Sequence, residues 1–324
     1  MIPIGIAIVG YGRWGVNLAR VLMASPHFHL TAIVDIDESR RQAASEAYPE
    51  VDVFAQLEIA CMPAALAVAT PPRTLPHLAQ EIIASGRHAF VEKPCALHAA
   101  EALALAYQAQ TNGCVLSVDL TPAWSPLQDA TAALLATGTI GTLLAWHSQR
   151  TNPGHGQPGI DVLRDLAIHD LAIINALLPE RPETITIKHA IRGTDGQIIS
   201  AAMEMSYPTG LVAEISASWV GNIRQRQTTI IGTKGTILRD DISSPNHLLV
   251  TNTANRNHNQ NEIYPVSIIK EPLVRILDDF AQSIHTGSAP KTNAFTAATL
   301  LSWIEMAEPF DSCHIEPSSL TAFI

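Results

Sequence analysis

Ile4-Gly5-Ile6-Ala7-Ile8-Val9-Gly10-Tyr11-Gly12-Arg13-Trp14-Gly15 is the stretch that decides the fold. A mostly apolar run leads straight into Gly-x-Gly-x-x-Gly, and a helical pattern continues through Val16, Leu18, Ala19, Leu22 and Met23. Strand, tight glycine turn and helix N-terminus in that order make an anion site. The first N–H groups of the helix lack intrahelical acceptors and carry the positive end of its dipole, and glycine lets a pyrophosphate come close. Alone the motif is weak, because small-residue turns are common. Its meaning depends on the strands and strand-end residues farther along the chain.

A second strand over residues 30–34 ends in Asp35, twenty residues past the last glycine. A dinucleotide site places there the carboxylate that binds the adenosine ribose hydroxyls and repels a 2′-phosphate, so NAD is expected over NADP. Arg40 and Arg41 pull the other way, and the plainer reading of Asp35 is a turn residue. Strands and helices then alternate: strands at 51–54, 64–69, 88–91 and 115–118, helices at 74–84 and 96–110. The pattern predicts a parallel sheet covered by helices on both faces. Gly10, Asp35, Thr70 and Lys93 all fall at carboxyl ends of strands, where such sheets bind ligands. Trp14, invisible to the glycine motif, gains interest as a residue near the nicotinamide.

Composition narrows the classes. The 324 residues are 47% hydrophobic and 15% charged, with a formal net charge of −10. That excludes a basic nucleic-acid or anionic-membrane surface, and no apolar run reaches transmembrane length. The glycine turn lies where a signal peptide would have its apolar stretch, and Cys61, Cys95, Cys114 and Cys313 show no CxxC spacing. A cytoplasmic protein without a metal site is the expectation.

The second half changes character. Ser125-Pro126 starts a helix closed by Gly138, a strand covers 143–150, and a glycine- and proline-rich loop runs over 151–159. A helix is expected over 161–177, carrying Asp165 and His169 four residues apart on one face. A carboxylate holding one imidazole nitrogen leaves the other to take a proton, although a plain surface pair has the same spacing. Strands at 184–190, 198–206, 211–219, 228–231 and 236–239 predict an antiparallel or mixed sheet. Residues 251–260 read as a polar, mobile excursion, and 273–285 and 295–306 as closing helices. The fold class is therefore α/β, with a dinucleotide-binding domain at 1–120 and a second, α+β domain at 121–324. Whether the last helices pack back on the first domain is left open.

These segments, in order, resemble the glucose–fructose oxidoreductase/inositol dehydrogenase/MocA (Gfo/Idh/MocA) family of nicotinamide-dependent sugar oxidoreductases. The resemblance rests on Gly10–Gly15, on Ala69-Thr70-Pro71-Pro72 with His77, on residues 86–94 ending in Glu92-Lys93-Pro94, and on Asp165-x-x-x-His169-Asp170. It implies a Rossmann domain, a second, α+β substrate-binding and oligomerisation domain with a large open, mainly antiparallel sheet, and a homodimer or homotetramer built through that sheet. It also implies a catalytic set of Lys93, Asp165 and His169. Cofactor contacts are then expected at Gly10, Tyr11, Gly12, Arg13, Trp14, Gly15, Asp35, Thr70, Pro71, Pro72, His77, Glu92 and Lys93.

A subgroup likeness runs through Gly138-Thr139-Ile140-Gly141 to Ser148-Gln149-Arg150-Thr151-Asn152, then Ser218-Trp219, Arg224, Arg226, Gly232-Thr233-Lys234-Gly235, Asp240-Asp241 and Glu271-Pro272-Leu273. It is similar to enzymes that oxidise UDP-N-acetylglucosamine or its uronate at C3, with Arg150, Arg224 and Arg226 available to a diphosphate. Substrate contacts are expected at Lys93, Arg150, Asn152, Arg164, Asp165 and His169. Arg164 stands where that subgroup usually has tryptophan, and residues 120–124 lack its histidine-proline pattern. Rival readings are a free-sugar or inositol dehydrogenase and a non-enzymatic NAD-binding sensor or co-repressor. The residues leave open whether His169 or a desolvated Lys93 takes the proton.

Overall fold

The computed structural model describes residues 2–154, 156–252 and 261–307. The chain divides into two compact units. One comprises Met1–Thr121 with Lys270–Leu301; the other comprises Pro122–Ile269 with the chain from Ser302 onward.

In the first unit, β1 (Ile4–Val9), α1 (Arg13–Met23), β2 (Phe28–Val34), α2 (Glu38–Ala47) and β3 (Asp52–Phe54) form one half. The other half is β4 (Ala65–Val68), α3 (Leu75–Ala84), β5 (His88–Glu92), α4 (Ala99–Thr111) and β6 (Leu116–Asp119). All neighbours pair parallel in the order β3-β2-β1-β4-β5-β6. Chain order reverses between β1 and β4, which opens a crevice at their carboxyl ends. Every residue of β4 is buried, as expected of a strand covered on both faces.

Helix α4 begins at Ala99, not at 96. Cys95 and Ala96 are fully buried in the connection, and the Glu101 carboxylate accepts the main-chain N–H groups of Leu97 and His98. The acid thereby sets the helix start. Residues from the C-terminal part complete this unit. Phe280 of α7 (Pro272–Thr286) packs against Phe28 and Phe90, with ring centroids 5.9 and 5.8 Å apart. The Thr292 carbonyl accepts from Val118 N at 3.0 Å, extending the edge at β6. The division between the units falls within α8 (Ala294–Ala307).

The second unit contains α5 (Pro126–Ala136), β7 (Leu143–Thr151) and α6 (Ile168–Leu177). These are followed by β8 (Thr184–Arg192), β9 (Ile198–Ser206), β10 (Val212–Ser218), β11 (Gln225–Gly232), β12 (Gly235–Asp240), β13 (His247–Asn252) and β14 (Asn261–Pro265). The eight strands run in the order β14-β13-β12-β11-β7-β10-β9-β8, and only β7 and β10 pair parallel. One face is buried through Trp146, Ile187, Met203, Met205, Ile215, Ile230 and Ile237, while His147, Glu214 and Lys188 face outward. This is the period-2 pattern of a sheet covered on one side.

Three details depart from the sequence reading. Strands β13 and β14 do not stand out in the hydropathy pattern, and part of β13 lies inside the segment read as an excursion; residues 253–260 lie outside the described residues, as does Cys313. The helix expected over 161–177 is not uniform: Leu163–Ala167 is π-helical and only Ile168–Leu177 is α-helical. Hydrogen bonds in a π turn run i→i+5, so the four-residue spacing of Asp165 and His169 is not that of a regular α-helical face.

The half-buried His88 accepts a hydrogen bond at Nδ1 from Val115 N, 3.0 Å away, and burial pushes its pKa below 6.5. Its proton affinity is therefore greater in the unfolded chain. The stabilisation is complete above about pH 6.5 and is lost as pH falls through that value towards the folded-state pKa. His88→Asn, which keeps an acceptor but does not titrate, is expected to flatten the decline of Tm between about pH 7 and pH 5. Parallel thermal melts would check this; an identical decline in both proteins would refute it.

Candidate functional site

The glycine turn is built by close backbone approach. Gly10 has φ +95°, and a Cβ there would stand 2.6 Å from the Ala69 carbonyl oxygen. A Cβ on Gly15 would overlap the carbonyl oxygen of Gly10. Gly12 is the N-cap of α1, brings no side-chain acceptor to the first turn, and has open space beside it except for Arg40 Nη1 at 3.8 Å from an ideal Cβ. The first turn of α1 carries no acidic residue. N–H donors without intrahelical acceptors, in a cradle that any Cβ would fill, fit a pyrophosphate.

Asp35 lies buried just beyond β2. Its Oδ2 accepts from Tyr11 N at 2.6 Å and its Oδ1 from Asp37 N at 2.8 Å. Arg41 donates to the carbonyls of Asp35 and Ile36, whereas Arg40 is exposed and reaches to 3.7 Å from Asp35 Oδ2. The two arginines thus differ: one braces the main chain, the other stands beside the carboxylate and the glycine turn. Thr70 lies next to Gly10, its Cγ2 3.1 Å from an ideal Cβ there, and its hydroxyl accepts from Thr74 at 2.8 Å. Pro71 offers its carbonyl to Thr74, Pro72 is buried and Arg13 is exposed. His77 is exposed and approaches Glu81 to 3.4 Å along α3.

Glu92 and Lys93 emerge half-buried at the end of β5, and the Lys93–Pro94 peptide is cis. Opposite Glu92 in the sheet register is Asp119, which the sequence reading passes over. It is 1% exposed and accepts from Trp14 Nε1 at 2.8 Å, from Thr121 N at 3.1 Å and from the Thr121 hydroxyl. Burial pushes its carboxyl above the usual range, while Thr121, Trp14 and the charge of Lys93 oppose the shift. An acid at the carboxyl end of an apolar strand was the available signal, the same one that marks Asp35.

In the second unit, Asp165 is buried and its Oδ2 accepts from Trp219 Nε1 at 2.9 Å. His169, one turn on, is half-buried. The neighbouring Asp170 forms a two-point contact with Arg150, 2.6 Å to Nε and 3.2 Å to Nη2, and both side chains are 3% exposed. Asp170 and other acids hold the Arg150 guanidinium above its ordinary range although burial opposes this. Arg150 therefore serves Asp170 and does not extend into solvent towards a diphosphate. Arg164 is likewise engaged, with Nη1 2.5 Å from Asp161 Oδ2. Asn152 continues the main-chain ladder through its N–H to Ser218 O.

Arg226 differs from both. It lies directly across β11–β7 from Arg150, so the two side chains share the covered face of the sheet. Its neighbour Arg239 is paired with Asp241 at 2.8 Å. Among the described residues no acceptor reaches the Arg226 guanidinium. Burial, with Arg150 and Arg224 nearby, pushes it down to about 10, against the pull of Asp241 and Asp170. Among the described residues no group of three His, Cys, Asp or Glu side chains is arranged to hold a metal ion, and no helix is long and apolar enough to cross a membrane.

The parallel sheet with its glycine cradle and strand-end acid defines a dinucleotide-binding fold. Residues 4–120 match the GFO_IDH_MocA family, "Oxidoreductase family, NAD-binding Rossmann fold", and residues 129–238 match the GFO/IDH/MocA C-terminal domain. The chain belongs to the GFO/IDH/MocA family of oxidoreductases. It is 28% identical over 220 residues to galactose 1-dehydrogenase of Pseudomonas fluorescens, covering 64% of this chain and 68% of that one. It is 25% identical over 224 residues to inositol 2-dehydrogenase of Rhizobium meliloti (strain 1021), covering 65% and 67%. In structure it is similar to UDP-N-acetylglucosamine 3-dehydrogenase GnnA from Acidithiobacillus ferrooxidans, with TM-score 0.79 and 22% identity, covering 95% of this chain and 97% of that one.

Gly15→Ala forces α1 away from Gly10. Its NADH affinity, followed by fluorescence titration, is expected to fall by at least about tenfold, because pyrophosphate recognition depends on that close approach. Wild-type affinity in the variant would contradict this account of the turn.

Proposed function

We propose that the protein oxidises a secondary hydroxyl of a sugar with NAD, or reduces the corresponding ketone. The buried Asp165, fixed by Trp219 on the segment that carries His169, is the observation that carries this reading. His169 takes the hydroxyl proton as general base. Asp165 orients the imidazole and favours the imidazolium that forms. Lys93 donates to the reacting oxygen, where a cation opposes developing alkoxide charge. The nicotinamide, when bound, supplies the acceptor for the carbinol hydride. NAD is favoured over NADP because the Asp35 carboxylate repels a 2′-phosphate, and the exposed Arg40 softens that preference. His169→Ala is expected to lower kcat by about 10²–10⁴-fold with NAD affinity nearly unchanged. Unchanged turnover would remove His169 from the mechanism.

For the substrate, we infer a sugar carrying an anionic group, as in a nucleotide-linked sugar oxidised at C3. The support is the lone guanidinium of Arg226 in the unit that bears His169, with Arg224 close by. Likeness to the GnnA fold agrees with it. The second reading, a neutral free sugar or inositol, is favoured by the names of the two sequence relatives. Their being dehydrogenases sets the non-enzymatic sensor aside. A second copy packed on the outward face of the eight-stranded sheet, giving a dimer or tetramer, completes the proposal.

Absorbance of the reduced cofactor, followed with NAD or NADP and a panel of UDP-sugars, galactose and myo-inositol, separates the readings. Arg226→Met is expected to lower kcat/KM for UDP-N-acetylglucosamine by about 10- to 100-fold, the worth of a hydrogen bond to a charged group. Galactose turnover in wild type with none on UDP-sugars would favour the neutral-sugar reading.

A further inference from the structure

We propose that Asp119 is a positioning residue for the reaction, holding Trp14 and Lys93 at the carboxyl edge of the parallel sheet. The proposal rests on the reading of Lys93 as the group that donates to the reacting oxygen. Asp119 is the last residue of β6, directly across the register from Glu92, the residue before Lys93. Its side chain is shut off from solvent at 1% exposure.

A carboxylate in such a place is unfavourable unless its oxygens are satisfied and an opposite charge is near. Its oxygens are satisfied, and Lys93 opposes the upward push of burial on the carboxyl without cancelling it. Oδ2 receives the Trp14 indole N–H at 2.8 Å; Oδ1 receives the Thr121 N–H at 3.1 Å and the Thr121 hydroxyl. Lys93 favours the ionised form electrostatically.

The donor set explains why the residue is an acid. Three N–H or O–H groups converge on two oxygens, and each oxygen must accept. An asparagine offers one acceptor oxygen and would turn its NH2 towards one of those donors. It would also remove the charge that Lys93 faces. An apolar residue would leave the indole N–H and the Thr121 N–H without their acceptor. Only a carboxylate satisfies every donor and the cation together.

The residues it ties together are not neighbours in sequence. Trp14 is the second residue of α1, inside the dinucleotide turn, and Lys93 follows β5. Asp119 thereby sets the cofactor turn and the proposed oxygen-binding lysine in one register at the edge where dinucleotides bind. Displacing either should slow hydride transfer more than it weakens binding, because misplacement of about 1 Å can cost about 100-fold in rate.

The test compares wild type, Asp119→Asn, Lys93→Met and the double variant, using NAD and whichever sugar of the panel is turned over. Asp119→Asn is expected to lower kcat by about 10- to 100-fold, with sugar KM changed by less than about threefold. It should have little further effect when Lys93 is already methionine, because two residues acting through one interaction are not additive. A second readout does not depend on turnover. The quenching of Trp14 by bound NADH, taken as the difference between wild type and Trp14→Phe, should change in Asp119→Asn as the indole loses its acceptor.

Asp119→Asn with kcat within about twofold of wild type, or an equal loss with and without Lys93, would overturn the proposal. If Asp119→Asn does not fold, Thr121→Val removes only the hydroxyl donor. It is expected to give a smaller loss that also disappears without Lys93, and a loss that persists would overturn the proposal. Wild-type kcat in Lys93→Met alone identifies the different failure, that of the Lys93 reading, and takes this proposal with it.

Discussion

Helix α1 meets β1 backbone to backbone: the carbonyl oxygen of Gly10 fills the space where a side chain on residue 15 would begin. That one contact sets where the helix starts and aims its free N–H groups at the carboxyl edge of the sheet. The left-handed Gly10, pressed against the Ala69 carbonyl, joins the turn to the end of β4 as well. Tyr11 N donates to Asp35, so the turn is also fastened to the end of β2. The acid expected to face a ribose is therefore part of the frame that holds the pyrophosphate cradle. Its two roles are compatible because each carboxylate oxygen has a second lone pair.

In the second unit the ordering interaction is ionic. Along most of its covered face the large sheet is packed with Ile and Met, but at one end the side chains are Arg150, Arg226 and Arg239. Buried ion pairs stabilise little unless their geometry is good. The Arg150–Asp170 contact is two-point and dry, and Arg239 reaches both Asp241 and Gln128 of α5. These contacts fasten α5 and α6 to particular strands. Asp170 is drawn down onto β7, while the adjacent His169 is only half-buried. Sequence neighbours on a helix point in different directions, so anchoring one determines where the other emerges.

The first unit is the more legible in sequence because its signals are local. Glycine spacing, apolar strands buried on both faces and a charged or small residue after each strand are all properties of short windows. Asp165 and His169 are legible as a pair, but not the π-helical turn between them, since hydropathy has no signature for a turn widened by one residue. Arg150 reads as a ligand for phosphate because sequence shows a charge and not its partner twenty residues away. Asp119 escapes notice for the converse reason: its meaning lies in Trp14, more than a hundred residues earlier. Strands β13 and β14 are short, β14 is exposed from Glu262 to Pro265, and their pairing is what makes them strands.

The loop after β7 shows how local breakers serve a distant side chain. Gly154 N donates to the carbonyl of Trp219, and a Cβ on Gly156 would come within 3.2 Å of the Trp219 ring. The loop therefore lies down on the indole that holds Asp165. Its glycines let it approach, in addition to keeping it out of regular structure. Asp165 sits in a π-helical turn, and its carboxylate is held by contacts from outside that turn. Trp219 supplies one such contact from the end of β10, and the loop covers Trp219. The setting of Asp165 thus depends on a strand end and a loop as much as on the helical segment that carries it.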